Sequence, residues 1–299
     1  MNEYGNLSQL RTFLSLASQD TTDDTELKQF LIRASRRIDR YCKRHFYPYR
    51  KGGSNVLVFD QPENTQVLYI GDMDLLAVKG LSDLSGASEI DTGAYWLKCG
   101  DRWNITPYDR IILRSDAGSS FNYSGTPERS VHIDAVVGYN EDYGNAWVDS
   151  GGSLTASLAT GITLASTTAS NAMNSIGDTP RFAQGQLWRL TTGSMEEFCY
   201  VSATRAGGDT VELIRAVNGT SAADHAAGTK IYTWQPEQEI VDSSVEAAAF
   251  MYAKAKSPFT NQVSILQLGV IEQPTAWPEQ TLERIKRYKR QAVHSFKAS

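Results

Sequence analysis

Apolar residues recur every three or four positions at both ends of this chain and every second position between them. The first spacing places apolar side chains on one face of a helix, and the second places them on one face of a strand. Helical segments at about 8–17 and 24–47 precede a long run of β signals, and helical segments at 239–256 and 278–296 follow it. Because residues distant in sequence must then pack together, the pattern predicts an α+β fold.

The β signals form two groups. Between residues 55 and 139, six short alternating runs are separated by Gly, Asp, Asn and Pro, as expected for a small antiparallel sheet or barrel. At about Asp149 the composition becomes rich in Ser, Thr, Ala and Gly, and strand-like runs continue to residue 234. This change predicts an all-β module inserted at 150–234 into a core formed by 1–149 and 235–258.

The second helical segment carries a basic face. At 100° per residue its apolar residues occupy one arc, and six Arg or Lys residues occupy another. Asp23 and Glu26 have capping-box spacing at its start, and Pro48 follows its end. Such a face is either a solvated helix surface or a contact surface for phosphate or an acidic partner. The basic residues are Arg33, Arg36, Arg37, Arg40, Lys43 and Arg44.

Residues 259–299 are predicted to form a C-terminal docking tail with an amphipathic helix. The part before Pro278 is apolar without a clear helical or strand period, and apolar side chains are costly to leave in water. The helix after Pro278 places positive charge beside an apolar stripe, which suits a groove on an acidic partner. Packing on its own domain is the alternative. The candidate docking residues are Val263, Ile265, Leu266, Leu268, Ile271, Trp277, Arg284, Arg287 and Arg290.

Composition and motifs argue against several classes of protein. A formal net charge of −5 disfavours a general nucleic-acid binder. No apolar run approaches the roughly 20 residues of a membrane span, and the N-terminus lacks the features of a signal peptide. Three separated cysteines suit reduced thiols made in a cytoplasm.

The sequence also lacks the common catalytic motifs. We find no phosphate-binding loop, dinucleotide fingerprint, zinc-protease or nucleophile-elbow motif. We therefore predict no catalytic residues, no metal site, no cofactor and no enzyme activity. Four tryptophans are predicted to be core or interface anchors rather than platforms for stacking bases. They are Trp103, Trp147, Trp188 and Trp234.

Several stretches match patterns of one protein family. In "FLIRASRRIDRYCKRHFYP" the matching residues are Ala34, Ser35, Ile38, Asp39, Tyr41, Arg44 and Phe46. In "AVVGYNEDYGNAWVDS" they are Gly138, Tyr139, Tyr143, Ala146 and Trp147. In "IRAVNGTSAADHAAGTKIYTW" they are Arg215, Asn218, Gly219, Thr220, Ala222, Ala223, His225, Gly228 and Tyr232. With these stretches the chain resembles the head–tail connector (adaptor) proteins of tailed double-stranded DNA bacteriophages. It departs from the family pattern at Ala216, where Gly is common.

The resemblance implies a small helical bundle with a short antiparallel β part. It also implies a ring, usually of twelve copies, that joins the portal protein to a stopper, tail-tube or terminator protein in the virion neck. Double-stranded DNA would pass through the centre without sequence-specific binding and without turnover. The basic face would then contact a neighbouring subunit or the portal rather than DNA, because close phosphate contacts would oppose sliding.

Two alternatives to the connector remain open. One is a binding module whose inserted β domain recognises a glycan or a host surface. The other is an unrecognised hydrolase, because catalytic residues can be dispersed along a sequence.

Overall fold

Two compact units divide the chain. The terminal unit combines Met1–His45 with Glu237–Ser299, and the central unit is Phe46–Pro236. Helices occur together with antiparallel sheets, so the predicted α+β class is confirmed. The computed structural model describes residues 2–16, 22–71, 73–103, 105–161, 164–170, 181–204, 209–256, 262–265, 269–272 and 277–290.

The elements are numbered in chain order. Among the described residues the α-helices are α1 (Leu7–Phe13), α2 (Asp24–Cys42), α3 (Tyr143–Ala146), α4 (Gln238–Lys256) and α5 (Glu279–Lys286). The strands before residue 140 are β1 (Tyr49–Lys51), β2 (Leu57–Phe59), β3 (Val67–Tyr69), β4 (Leu75–Asp83), β5 (Ser88–Glu89), β6 (Tyr95–Cys99), β7 (Arg102–Trp103), β8 (Arg110–Leu113) and β9 (Val131–Val137). The later strands are β10 (Trp147–Ser153), β11 (Leu164–Thr168), β12 (Leu187–Thr192), β13 (Met195–Thr204), β14 (Thr210–Ile214), β15 (Lys230–Trp234), β16 (Gln262–Ile265) and β17 (Gly269–Glu272).

A capping box begins α1, and the one predicted for α2 does not form. Asn6 Oδ1 accepts from Gln9 N at 2.9 Å, and Asn6 N donates to Gln9 Oε1 at 2.9 Å. At α2 the side chain of Asp23 makes no capping bond. Its carboxylate instead accepts from the Tyr252 hydroxyl at 2.5 Å and from Lys256 Nζ at 3.2 Å. The prediction was wrong because a tertiary contact with α4 engages the capping oxygens.

The apolar face predicted for α2 is buried, and it packs on α4. Ser35 Oγ accepts from Tyr4 N at 3.1 Å and lies 3.2 Å from Ser244 Oγ. Small side chains at these positions let the two helices approach closely. The buried residues of α2 are Leu27, Phe30, Leu31, Ala34, Ser35, Ile38 and Cys42.

The C-terminal segment packs within the terminal unit. Glu246 of α4 accepts from Thr281 Oγ1 at 2.8 Å and from Arg284 Nη2 at 3.0 Å. Beyond α5, Arg290 N donates to Cys42 O at 2.9 Å. Strands β16 and β17 pair as an antiparallel hairpin. The sequence shows no clear strand period here, but two short strands can pair without the alternation of a half-buried sheet.

The described strands of the central unit form three antiparallel sheets. The five-stranded sheet has the order β1-β9-β4-β5, with β2 also paired to β9, and the four-stranded sheet has the order β3-β8-β6-β7. These two sheets share one hydrophobic core, in which Leu75, Ile111 and Phe121 have no exposed surface. Each of the six β runs predicted between residues 55 and 139 contains a strand.

The six-stranded sheet has the order β10-β15-β12-β13-β14-β11 and is built from residues 147–234. Its inner face packs around Trp188 and Phe182, whose rings meet edge to face with centroids 4.7 Å apart.

The boundary between units differs from the one predicted from composition. One hydrophobic cluster joins Leu76 and Val136 of the five-stranded sheet to Phe198, Tyr200 and Trp234 of the six-stranded sheet. The composition change near Asp149 therefore marks the start of a different sheet inside one compact unit. Residues 46–149, predicted to belong with the helices, group instead with residues 150–236.

Candidate functional site

The cationic face of α2, defined as the six basic residues from Arg33 to Arg44, is the first candidate surface. Four of the six lie on α2, whereas Lys43 and Arg44 follow its end, because Lys43 adopts φ +54° and terminates the helix. Arg33, Arg37, Arg40 and Lys43 are exposed, whereas Arg36 and Arg44 are partly buried. Arg36 is engaged within its own unit, because it pairs with Asp39 at 2.9 Å and donates to Asn2 O at 2.7 Å. The structure thus separates two partly buried cations from a row of four exposed ones.

The exposed cations are not all equivalent. Arg33 lies over the Phe30 ring at 5.5 Å, and Arg37 lies over the Trp277 ring at 5.0 Å. Such cation–π contacts orient a guanidinium without neutralising its charge. Within the described part of the chain, Arg33, Arg37, Arg40 and Lys43 form no ion pair. The exposed part of the face therefore keeps its positive charge available to another molecule.

Asp39 is the acidic residue inside the family-like pattern of α2. Burial raises the pKa of Asp39 to about 6, although the charge of Arg36 and the hydrogen bond from the Tyr4 hydroxyl both favour the carboxylate. Asp39 therefore ties α2 to the segment preceding α1, and its role in the described structure is internal.

The predicted docking tail is partly internal as well. Trp277 is 3% exposed. Arg284 pairs with Glu246 at 3.0 Å, and Arg287 pairs with Glu239 at 2.9 Å. Two further predicted residues, Leu266 and Leu268, lie outside the described residues, and Val263, Ile265 and Ile271 lie on the strands of the hairpin. The tail residues with described side chains thus contact their own unit.

A buried polar cluster lies in the six-stranded sheet, at the family-like stretch that contains Arg215 and His225. Both side chains bind Glu197 of β13, and none of the three is exposed. Glu197 also accepts from Ala216 N at 3.1 Å and from Ala223 N at 3.0 Å. Burial raises the pKa of Glu197, but the hydrogen bonds from His225, Arg215 and Ala223 N, together with the Arg215 charge, outweigh it and bring the pKa to about 2.

This cluster, the Glu197 cluster, holds the turn that follows β14. Ala216 adopts φ +54°, in the left-handed region that favours Gly. Its N–H nevertheless reaches Glu197, so the departure from the family pattern leaves the hydrogen bond intact. Sequence reasoning missed Glu197. The sequence signal that could have revealed it is a Glu at an inward-facing position of an otherwise apolar strand. A charged side chain buried in this way requires a buried partner.

An aromatic face on the four-stranded sheet is the second candidate surface. Tyr69, Trp96 and Trp103 are 64%, 43% and 49% exposed. In the strand register Arg110 lies opposite both Tyr69 and Lys98, and Lys98 lies opposite Trp103. Trp96, two residues from Lys98, shares their face. Exposed aromatic side chains grouped in this way are typical of contact surfaces.

The four tryptophans predicted as anchors divide between core and surface. Trp147, Trp188 and Trp234 are buried, whereas Trp103 lies exposed on the aromatic face. The cations of that face are paired with carboxylates: Lys98 with Asp101, Arg110 with Asp109 and Arg114 with Asp116. The aromatic face thus presents rings and ion pairs without an excess of positive charge.

No group of three or more His, Cys, Asp and Glu side chains in the described ranges is placed to hold a metal ion. No helix among the described residues is both long enough and apolar enough to cross a membrane. Comparisons with protein-family models, with curated proteins and with solved structures gave no match.

Proposed function

We propose that this protein is a head–tail connector of a tailed phage. Twelve copies form a ring in the virion neck that joins the portal to the stopper or tail, and DNA passes through the centre. The helices α1, α2, α4 and α5 form the small bundle of such a connector, and the central unit is its β part.

The observation that carries this proposal is the division of α2 into two faces. The residues that match the connector pattern hold α2 inside its unit, because Ala34, Ser35 and Ile38 have no exposed surface. Four cations on the opposite face are exposed and form no ion pair within the described chain. A helix anchored in this way, with a charged outer row, suits repeated contacts between protein subunits.

The proposed partner of the cationic face is protein rather than DNA. Each contact between a cation and a DNA phosphate adds salt-dependent affinity for DNA. Several such contacts per copy around a ring would oppose the sliding of DNA through the channel. The central unit also carries more acidic than basic residues, so protein surfaces of the opposite sign are present in the same chain.

Electron microscopy and a binding assay test the proposal. Purified protein, alone and mixed with the portal of the same phage, is imaged by negative stain and measured in a pull-down. Rings of defined symmetry, or a ring that forms only on the portal, support the proposal. A protein that stays monomeric and does not bind the portal under both conditions contradicts it.

A charge-reversal variant tests the face itself. Changing Arg33, Arg37, Arg40 and Arg44 together to Glu keeps the apolar face of α2, so the fold should survive while ring formation or portal binding is lost. Lys254→Glu, an exposed change on α4, is the matched control. Infectious particles built from the fourfold variant would show that the face is only solvated.

The C-terminal segment is proposed as a further portal contact, with its buried residues serving as the anchor. Because Thr281, Ile285 and Tyr288 of this segment are buried, a chain ending at Ser257 would expose their partners. The sharper test changes outward positions, such as Lys286→Glu, and measures portal affinity by calorimetry. An unchanged affinity argues against this contact.

A glycan-binding module is the second candidate, and the exposed aromatic face favours it. That face belongs to the four-stranded sheet. The sequence-based alternative instead assigned glycan binding to the inserted module at residues 150–234. Aromatic rings beside paired Arg and Asp side chains can stack on sugar rings and bind their hydroxyls. Binding to a glycan array that Trp96→Ala and Trp103→Ala abolish would support this function over the connector.

A further inference from the structure

The two units carry opposite charge. The terminal unit has sixteen Lys and Arg against thirteen Asp and Glu, a formal charge of +3. The central unit has thirteen basic against twenty-one acidic residues, a formal charge of −8. Two copies of one chain can therefore attract each other when the terminal unit of one meets the central unit of the other.

An acidic cavity of about 690 Å³ opens on the central unit. Its volume is in the range of ordinary ligand pockets. Four carboxylates and a single guanidinium, that of Arg114, are among the side chains that line it. Arg114 is already bound by Asp116, and so the cavity as a whole stays negative. The lining carboxylates are Asp83, Glu89, Asp91 and Asp116.

Asp83 distinguishes this cavity from a merely acidic surface. It is 3% exposed, and its Oδ2 accepts from Asn122 N at 3.0 Å and from Asn122 Nδ2 at 3.2 Å. Its other oxygen, Oδ1, is buried and has no hydrogen-bond partner among the described residues. A buried carboxylate oxygen needs a donor, and a cationic donor suits it best.

The terminal unit carries a row of exposed cations that could meet this acidic cavity from a second copy. Arg284 of α5 and Arg287, the residue after α5, are already bound to Glu246 and Glu239. The exposed cations of α2 form no ion pair in the part of the chain described, and Arg33 and Arg40 lie about 10 Å apart along the helix axis. Such a row can place more than one guanidinium over a cavity and its rim.

We propose that the acidic cavity receives cationic side chains of α2 from a second copy of this chain. The inference rests on the proposed ring, and it names the surface that the cationic face meets. The interface is heterologous, since the helix of one copy meets the cavity of the next, and an interface of this type forms a ring when the rotation between copies closes. The nearby Trp96, over which Arg114 lies at 5.2 Å, adds an aromatic edge of the kind enriched in protein interfaces.

Two variants separate the two halves of the interface. The helix variant is Arg33→Gln with Arg37→Gln and Arg40→Gln. The cavity variant is Glu89→Lys with Asp91→Ser. The Asp91 side chain accepts a hydrogen bond from Gly93 N and caps the turn, and a Ser side chain can make the same bond. Lys254→Glu and Glu63→Lys, both at exposed positions outside these surfaces, are the controls. Circular dichroism and a melting curve establish that each variant is folded.

Sedimentation velocity in low salt then measures assembly. The wild type and both controls should form rings, and each interface variant alone should sediment as a monomer of 33.0 kDa. Mixed at equal concentration, the two variants should form a one-to-one dimer and nothing larger. The intact helix of the cavity variant can dock on the intact cavity of the helix variant, and the second contact is then blocked at both ends.

The outcomes separate this inference from the proposed function. Rings formed by the cavity variant, or mixed variants that stay monomeric although the wild type forms rings, overturn the interface and leave the connector in place. A wild type that stays monomeric at every concentration overturns the ring as well.

Asp83→Asn, which removes the buried charge without changing the side-chain shape, should weaken assembly at least tenfold if the cavity is the receptor. Unchanged assembly of that variant would contradict the role of Asp83.

Discussion

Arg215 and Glu197 form a two-point ion pair in which neither side chain is exposed to solvent. Arg215 donates from Nε to Glu197 Oε1 at 2.9 Å and from Nη2 to Oε2 at 2.6 Å. The pair joins β13 to the residue after β14, and His225 reaches the same carboxylate at 3.0 Å. Three segments of the six-stranded sheet thus converge on a single side chain.

Replacing Glu197 with Gln should destabilise the central unit strongly. The amide keeps the shape of the side chain but leaves the Arg215 charge buried without its counter-charge, a change that costs about 3–5 kcal/mol. Urea unfolding followed by tryptophan fluorescence measures the loss. Glu63→Gln, at an exposed position, should change stability by less than about 0.5 kcal/mol. A Glu197→Gln variant as stable as the wild type would show that the cluster contributes little.

Acid should weaken the same cluster in a defined pH window. The pKa of Glu197 is about 2 in the folded protein against an ordinary 4.5, so the folded state binds fewer protons between these values. The stabilisation is complete above about pH 4.5 and is lost as the pH falls towards 2, by an amount on the order of 3 kcal/mol. Urea midpoints at several pH values from 7 to 3 should fall more for the wild type than for Glu197→Gln.

The turn after β14 offers a stabilising substitution. Ala216 has φ +54°, and a left-handed conformation costs a residue with a side chain about 1–2 kcal/mol. Gly removes this strain but adds about 0.4–1 kcal/mol of unfolded-state entropy, so Ala216→Gly should stabilise by roughly 0.5–1 kcal/mol. Ala223→Gly, at a residue without positive φ, should destabilise. Thermal unfolding distinguishes the two, and a lower midpoint for Ala216→Gly would contradict the strain argument.

Trp277 should matter for stability far more than the exposed tryptophans. It is 3% exposed and carries Arg37 over its ring, so Trp277→Ala should cost about 3–5 kcal/mol. Trp96→Ala and Trp103→Ala, at half-exposed positions, should cost much less. Melting curves by circular dichroism compare the three variants. If Trp277→Ala left the melting midpoint unchanged, Trp277 would be a free docking residue and not an internal anchor.

The sequence alone was enough to locate most elements. The spacing of apolar residues predicted the buried face of α2, because a helix buries residues three and four apart whatever it packs against. Likewise, the alternation of apolar residues predicted the strands before residue 140. The family pattern has Gly where this chain has Ala216, and the backbone there does adopt a conformation that favours Gly.

Only the tertiary structure decided what those faces meet. It grouped residues 46–149 with the six-stranded sheet, because one apolar cluster spans both sheets. It turned Asp23 from a helix cap into a partner of α4, and it joined Glu197, Arg215 and His225 from separate segments. Periodicity reports that one side of an element is buried, but the partner depends on contacts between residues far apart in sequence, which no local pattern encodes.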